Sequence, residues 1–432
     1  MNEKEFFMKK AVKTVGAVAV LGAAAYTNYR RFVYKPQSLG EQTYKVNTKP
    51  LTVQAGDHTI YGELLLPQGV SGKLPTVIVS HGLGSSGANA KGLVGMSLAM
   101  SGFQVCCFDF FGGGRRSKSG GKMWEMTVFT EKADLEAVIE KIKTLGTTDT
   151  GKLFLLGESQ GGFVTAITAA EHSEIKAVIE YYPAFCIPED ARKRHSSREK
   201  IPEREHLGPN LLGRLYSESV WDYDVYSVIG AYKGPVLILH GDNDKVVDIS
   251  YGRRAAEVYE HAEFVCLPCE IHGFTGEGRK KAAQLSYDFL QRALSGDDRE
   301  EILTINIKLE RSSMKHEGLY NIMTVPFTGT AHSKWFFGMI LPGAADVQRR
   351  KLWNIDRFCA DYTLEGTDYT GEKCRVHIVN VDEGQGWKPT VTTDSKVLSF
   401  LNGADCKAVL QGHKDQLTVR IFAKPDHTKE EK

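Results

Sequence analysis

The sequence predicts an α/β protein built on a doubly wound, mostly parallel sheet with an inserted cap, followed by a smaller all-β, barrel-like domain. Three observations carry this. Apolar strand-like runs alternate with helix-like runs from about residue 50 to 297. The alternation breaks over about 186–230. After 297 only short runs of strand periodicity remain, with Gly and Asp between them and no convincing helix. At 432 residues the chain is long for one average domain, which agrees with a division in two.

Residues 1–31 read as a signal-like or membrane-anchor segment. Lys9, Lys10 and Lys13 precede an apolar stretch, Thr14 to Tyr26, with Ala23-Ala24-Ala25 near its end. A basic start, a short apolar centre and small residues suit export. The stretch is short for a span of about 20 residues. An anchor with Tyr26 and Tyr29 at the interface is the second reading, and a cytoplasmic N-terminal helix the third. Residues 32–49 are polar and read as a linker, and the charged residues 425–432 as a tail.

Strands are expected near Leu51–Gln54, Thr59–Leu66, Val77–Ser80, Gln104–Phe108, Leu153–Leu156, Ile175–Tyr181, Val236–Leu239 and Glu263–Leu267. Between them Leu93–Met100 and Phe163–Ala170 look helical. So does Val128–Leu145, where Leu135, Val138, Ile139, Ile142 and Leu145 form one stripe. The cap combines a charged stretch, Arg192–His206, with an amphipathic one, Leu211–Trp221. Its Trp221, Tyr223 and Tyr226 read as cap core ahead of a substrate-facing aromatic wall. In the second domain, 298–424, Ile302–Leu309 alternates apolar and polar residues. Similar runs recur at Trp335–Leu341, Phe358–Leu364, Cys374–Val381, Lys407–Gln411 and Leu417–Phe422.

Composition removes several functions. A net charge of +1 leaves no electrostatic case for nucleic acid. Eight cysteines in this length are not a disulfide framework, and adjacent Cys106 and Cys107 on a strand point to opposite faces. Cys266 and Cys269 have zinc-like spacing but no second pair, so neither metal nor cofactor is expected. Gly112-Gly113-Gly114-Arg115-Arg116 has no Gly-Lys-Ser/Thr ending and reads as a flexible loop with solvated arginines.

The chemistry lies at Gly157-Glu158-Ser159-Gln160-Gly161, between the strand Leu153–Leu156 and a helix of small apolar residues. That is the strand–turn–helix setting of a nucleophile elbow, in which glycines two residues before and after the serine allow strand and helix to meet closely. Gly is a tenth of this chain, 43 of 432 residues, so the pentapeptide is telling only with its flanks. Further on, the strand Val236–Leu239 opens into a loop with Asp242 and Asp244, and Ile271-His272-Gly273 follows another strand. A serine hydroxyl needs a base, and the base needs an anion. His272 suits the first role and Asp244 the second. Asp242 directly follows Gly241 and reads as a turn residue. The order Ser, Asp, His is that of α/β-hydrolases. In that fold the oxyanion is held by the N–H after the nucleophile, here Gln160, and by one from the upstream Gly-rich loop, here Leu83. His81 in that loop reads as structural.

Residues 50–295 resemble α/β-hydrolase esterases of the feruloyl/cinnamoyl esterase group of gut bacteria. The likeness rests on Ile60-Tyr61-Gly62-Glu63-Leu64, Ser80-His81-Gly82, Phe108-Asp109-Phe110, Thr130 to Glu140, Gly157 to Phe163, and Tyr181-Tyr182-Pro183-Ala184-Phe185. It implies a Ser159–His272–Asp244 triad with Leu83 and Gln160 as oxyanion donors. Leu83 stands where those esterases commonly have Phe, which changes the acyl pocket rather than a backbone donor. Trp335 to Gly343 and Tyr362 to Gly366 are similar to a bacterial β-barrel family of unknown function.

The expected activity is hydrolysis of a small-molecule carboxylic ester, exported or membrane-associated through residues 1–31. The alternatives are a serine peptidase or aminopeptidase, recruiting Glu199, Glu203 and Glu205 of the cap, and a binding protein without turnover.

Overall fold

The computed structural model describes residues 35–296, 299–318, 320–333, 335–351, 354–382, 388–413 and 416–424. The expected leader, 1–31, and the tail, 425–432, lie outside these residues. Among the described residues no helix is long and apolar enough to cross a membrane. The chain divides into two compact units between Gly296 and Asp297.

The first unit is built on eight strands: β1 (Val46–Ala55), β2 (His58–Pro67), β3 (Leu74–Ser80), β4 (Gln104–Phe108), β5 (Thr148–Glu158), β6 (Ile175–Tyr181), β9 (Val236–Gly241) and β10 (Ala262–Leu267). Their order is β1-β2-β4-β3-β5-β6-β9-β10. β1, β2 and β4 pair antiparallel, and every pair from β4 through β10 is parallel. Parallel strands need covering on both faces, and their sequences are apolar throughout. Alternate side chains serve two cores. Ile78, Cys106, Leu155 and Ile238 face one, covered by helices Val128–Lys143 and Gln160–Ala169. Val79, Cys107, Leu156 and Leu239 face the other, covered by the helical run from Gly87 to Met100 and by helix Gly276–Ser295. The two adjacent cysteines therefore do point apart, and all eight cysteines are free thiols.

The stretch expected as a linker, 32–49, is docked from residue 37 onward. Leu39 is buried in the second core. Gln37 and Leu39 N–H groups donate to the Ser97 and Ser101 hydroxyls, Tyr44 N–H donates to Met100 O, and β1 already begins at Val46. One apolar residue and a ladder of hydrogen bonds outweigh the polar composition. Two helices, Ile249–Val258 and Gly276–Ser295, form where no helix is expected from the sequence. The latter starts at the Thr275 cap and buries Ala282, Leu285, Phe289 and Leu290. It ends at Gly296, whose φ of 69° suits only glycine well.

The cap enters between β6 and β9. It holds helix Ile187–Arg194, a hairpin of β7 (Arg204–Leu207) with β8 (Asn210–Gly213), and short helices Arg214–Glu218 and Val225–Ile229. Trp221, Tyr223 and Tyr226 pack with the first core, Tyr223 against Phe129 and Phe163 and Tyr226 against Phe185.

The second unit is one ten-stranded antiparallel sheet: β11 (Glu300–Leu309), β12 (Ser313–Glu317), β13 (Tyr320–His332), β14 (Phe336–Ile340), β15 (Ala345–Lys351), β16 (Asn354–Asp368), β17 (Lys373–Asp382), β18 (Lys388–Thr393), β19 (Lys407–His413) and β20 (Gln416–Ala423). Its main path runs β18-β17-β16-β14-β13-β11-β20-β19, and no hydrogen-bonded ladder joins β18 to β19 among the described residues. Ile305, Phe336, Leu364, Ile378 and Ile421 form its own core.

Candidate active site

The site gathers at the carboxyl ends of β3, β5, β9 and β10, where open parallel sheets place their ligands. β5 ends at Glu158 and the next helix begins at Gln160, which leaves Ser159 alone to turn the chain. It does so at φ 54° and ψ −118°, a strained pair for a residue with a side chain. The strain is held by Ser159 N–H donating to Tyr181 O and by Ser159 O accepting from Gly162 and Ala184, each at 2.9 Å. The flanking glycines are obligatory. A Cβ on Gly157 would lie 2.3 Å from Gly161 O, and one on Gly161 would lie 2.4 Å from Ser80 O.

The residues named from the sequence come together. His272 Nε2 is 3.0 Å from Ser159 Oγ, and His272 Nδ1 is 2.7 Å from Asp244 Oδ2. Asp244 is buried and its other oxygen accepts the N–H groups of Val246 and Val247 at 2.8 and 3.0 Å. Burial would raise its pKa, but hydrogen bonds from His240 and His272 and the charge on His272 hold it well below the usual carboxylate range. Asp242 instead accepts from Cys269 N–H at 2.6 Å and ties down the turn before His272. Glu270 fixes the far side of that loop, accepting from Thr275 N–H at 2.6 Å and Thr275 Oγ1 at 2.7 Å.

Leu83 and Ser159 line one cavity of about 600 Å³ with His272. Gln160 is the first residue of its helix, so its N–H has no intrahelical acceptor and points out of the positive end of the helix. His81 is wholly buried. It accepts Phe110 N–H at Nε2 (3.2 Å), and its Nδ1 donates to Gly82 O at 2.8 Å. Burial lowers its pKa, so it braces the loop as a neutral ring. The Gly112–Arg116 loop is also a brace. Gly113 O accepts from Gly84 N–H at 2.8 Å, Arg115 donates to Pro209 O in the cap, and both arginines are exposed.

Several residues about the site had no role assigned from sequence. The Tyr182 ring packs tilted, at 54°, against the His272 ring, with centroids 4.6 Å apart. Glu158 and Arg279 line the cavity, and Glu131 and Tyr216 hold the Gln160 side chain. Glu158 alone had a local signal, a carboxyl ending an otherwise apolar strand directly before Ser159. The others lie 23 or more residues from Ser159 in the chain. Among the described residues no cluster of His, Cys, Asp and Glu is arranged to hold a metal.

This sheet order, elbow and chain order define the α/β-hydrolase fold. The profile of a family described as serine aminopeptidase, S33, matches residues 73–214. Est1E from Butyrivibrio proteoclasticus, solved with ferulic acid bound, is similar over 57% of this chain and 99% of its own, with a TM-score of 0.53 and 24% identity. A second Est1E structure superposes with a TM-score of 0.51, at 22% identity over 57% of this chain and 99% of its own. A protein of Caulobacter sp. (strain K31) with the provisional name carbamate hydrolase RutD is 23% identical over 52% of this chain and 91% of its own length.

Proposed function

We propose that the chain is a serine hydrolase that cleaves carboxylic esters through an acyl-enzyme. The observation that carries this reading is the unbroken path from Ser159 Oγ through His272 to buried Asp244, at 3.0 and 2.7 Å. His272 takes the Ser159 proton as Oγ attacks the ester carbonyl, and Asp244 holds the ring and stabilises its cationic form. The N–H groups of Leu83 and Gln160 receive the oxyanion. On collapse the C–O bond breaks, and His272 gives its proton to the leaving alkoxide. Water, deprotonated by the same histidine, then attacks the acyl-serine. The acid is released, and Ser159 regains its proton. Feruloyl and cinnamoyl esters are the first substrates to try, from the likeness to Est1E.

The aminopeptidase reading is favoured by the family description alone. A substrate amine calls for carboxylates around the site. Of the cap residues considered for this, Glu205 is engaged by Arg194, His195 and Ser217, and neither it, Glu199 nor Glu203 lines the cavity at Ser159. Residues 1–31 are proposed to export or anchor the protein, which fractionation of cells would check.

The test is hydrolysis of para-nitrophenyl acetate, methyl ferulate and aminoacyl anilides by the protein and by Ser159→Ala. Turnover of the esters that vanishes in the variant supports the esterase. Faster cleavage of anilides would transfer the reading to peptidase, and failure of a fluorophosphonate to label Ser159 would favour a binding protein.

A further inference from the structure

Glu158 is a buried acid with an unmet need. It is 6% exposed, and its Oε1 has no hydrogen-bond partner. It nonetheless lines the same cavity as Ser159, together with Leu83, Leu93, Tyr182 and Arg279. An unsatisfied buried oxygen costs about 1–3 kcal/mol, which a donor on a bound molecule would recover.

The position of the acid tells which part of a substrate it meets. Arg279 donates to Gly273 O at 3.0 Å, so its guanidinium belongs to the His272 loop, and Tyr182 packs against the His272 ring. Arg279 and Tyr182 are also the groups electrostatically linked to Glu158. Glu158 thus shares the cavity lining with the two residues that border His272, the group that hands its proton to the leaving oxygen. Charge narrows the chemistry. An ammonium would suffer from the nearby Arg279 and a carboxylate from Glu158, whereas a neutral hydroxyl can donate to the acid and adds no charge.

We propose that Glu158 and Arg279 form a leaving-group subsite that takes an alcohol carrying a second hydroxyl close to the scissile oxygen. The subsite rests on the esterase reading of the site. Burial pushes the Glu158 carboxyl up to about 7, so near neutrality it can both accept and donate to such a hydroxyl.

Two esters of nearly equal size test it: 2-hydroxyethyl butyrate and propyl butyrate, followed by pH-stat with the full chain. One hydrogen bond to the acid predicts that kcat/KM favours the hydroxylated ester by about tenfold. Glu158→Met should bring the ratio to within about twofold of unity, whatever its absolute rate. Glu158→Ala, which removes both carboxyl oxygens and adds no bulk, should lower the ratio at least about threefold and decides the matter should the Met variant not fold. A wild-type ratio near one, or a ratio unchanged in Glu158→Ala, overturns the subsite while Ser159-dependent hydrolysis of both esters keeps the esterase. Absence of Ser159-dependent turnover of either ester and of para-nitrophenyl acetate overturns both.

Discussion

Tyr216 Oη donates to the side-chain oxygen of Gln160 at 2.7 Å, across 56 residues of sequence. The amide nitrogen of Gln160 in turn donates to Glu131 Oε2 at 2.8 Å. All three side chains are buried. A residue of the cap and a residue of helix Val128–Lys143 thus grip the side chain of the residue that follows Ser159. Burial pushes the Glu131 carboxyl well above its usual range, which favours the neutral acid beside the Gln160 amide. Tyr216→Phe strips the cap from this chain and leaves Gln160 Oε1 unpaired. The variant should lose about 1–3 kcal/mol of stability and several-fold in kcat, with KM nearly unchanged. Calorimetry with steady-state kinetics on para-nitrophenyl acetate measures both. A loss confined to KM would mean that the contact shapes binding and not the oxyanion site.

The two aspartates of the β9 loop differ by partner, and their variants should differ by orders of magnitude. Asp244→Asn keeps the shape but removes the anion 2.7 Å from His272 Nδ1, and the expected fall in kcat is on the order of 10⁴. Asp242→Asn can still accept from Cys269 N–H at 2.6 Å and should stay within about tenfold of the parent. Comparable losses in the two variants would reverse the assignment of the anion.

Why the sequence announces the triad and not its surroundings follows from range. Ser159, Asp244 and His272 each end a strand-like run, so each carries a local pattern that periodicity detects. The same patterning reveals the parallel sheet, because its strands are apolar on both faces. The Glu131–Gln160–Tyr216 chain has no such pattern, since a buried acid and a cap tyrosine meet only after the sheet forms. Helix Gly276–Ser295 is hidden in the sequence because charged residues such as Arg279, Lys280 and Lys281 crowd its first turns. Its apolar stripe, Leu285, Phe289 and Leu290, is readable only once the face is known. In the second unit, β13 is hard to read because its thirteen residues mix Thr, Asn and Gly with apolar ones and pair with four different strands.

The elbow tolerates no side chain at its second glycine. A Cβ at Gly161 would sit 2.4 and 2.5 Å from the carbonyl oxygens of Ser80 and His81, both backbone atoms that carry the oxyanion loop. Gly161→Ala must therefore push that loop away from Ser159. We expect a loss of roughly 1–3 kcal/mol from overpacking and a drop in kcat of about 100-fold or more from displacement of the Leu83 N–H proposed to hold the oxyanion. Thermal melting and the rate of fluorophosphonate labelling read the two effects. A variant that melts as the parent does and labels at the parental rate would show that the loop has room to spare.

Glu180 gives the fold a pH dependence of definite sign. It is wholly buried on β6, accepts from Tyr259 Oη at 2.6 Å, and has no partner at Oε2. Burial raises its pKa to about 8. The unfolded chain loses that proton near the ordinary glutamate value of about 4.3. Between those two values the folded state holds more protons than the unfolded one, so stability falls as pH rises, by at most about 1.4 kcal/mol per pH unit for one group. Glu158, raised to about 7, acts in the same direction over a narrower window. Asp244, held below the usual carboxylate range, acts in the opposite direction and only in acid. The melting temperature should therefore decline from pH 5 to pH 8, and the slope should be shallower in Glu180→Gln, which carries no proton to lose. Melting curves at half-unit steps decide the point. A Glu180→Gln slope equal to that of the parent would mean that the buried carboxyl is already ionised at neutral pH, and that a cation or water reaches Oε2.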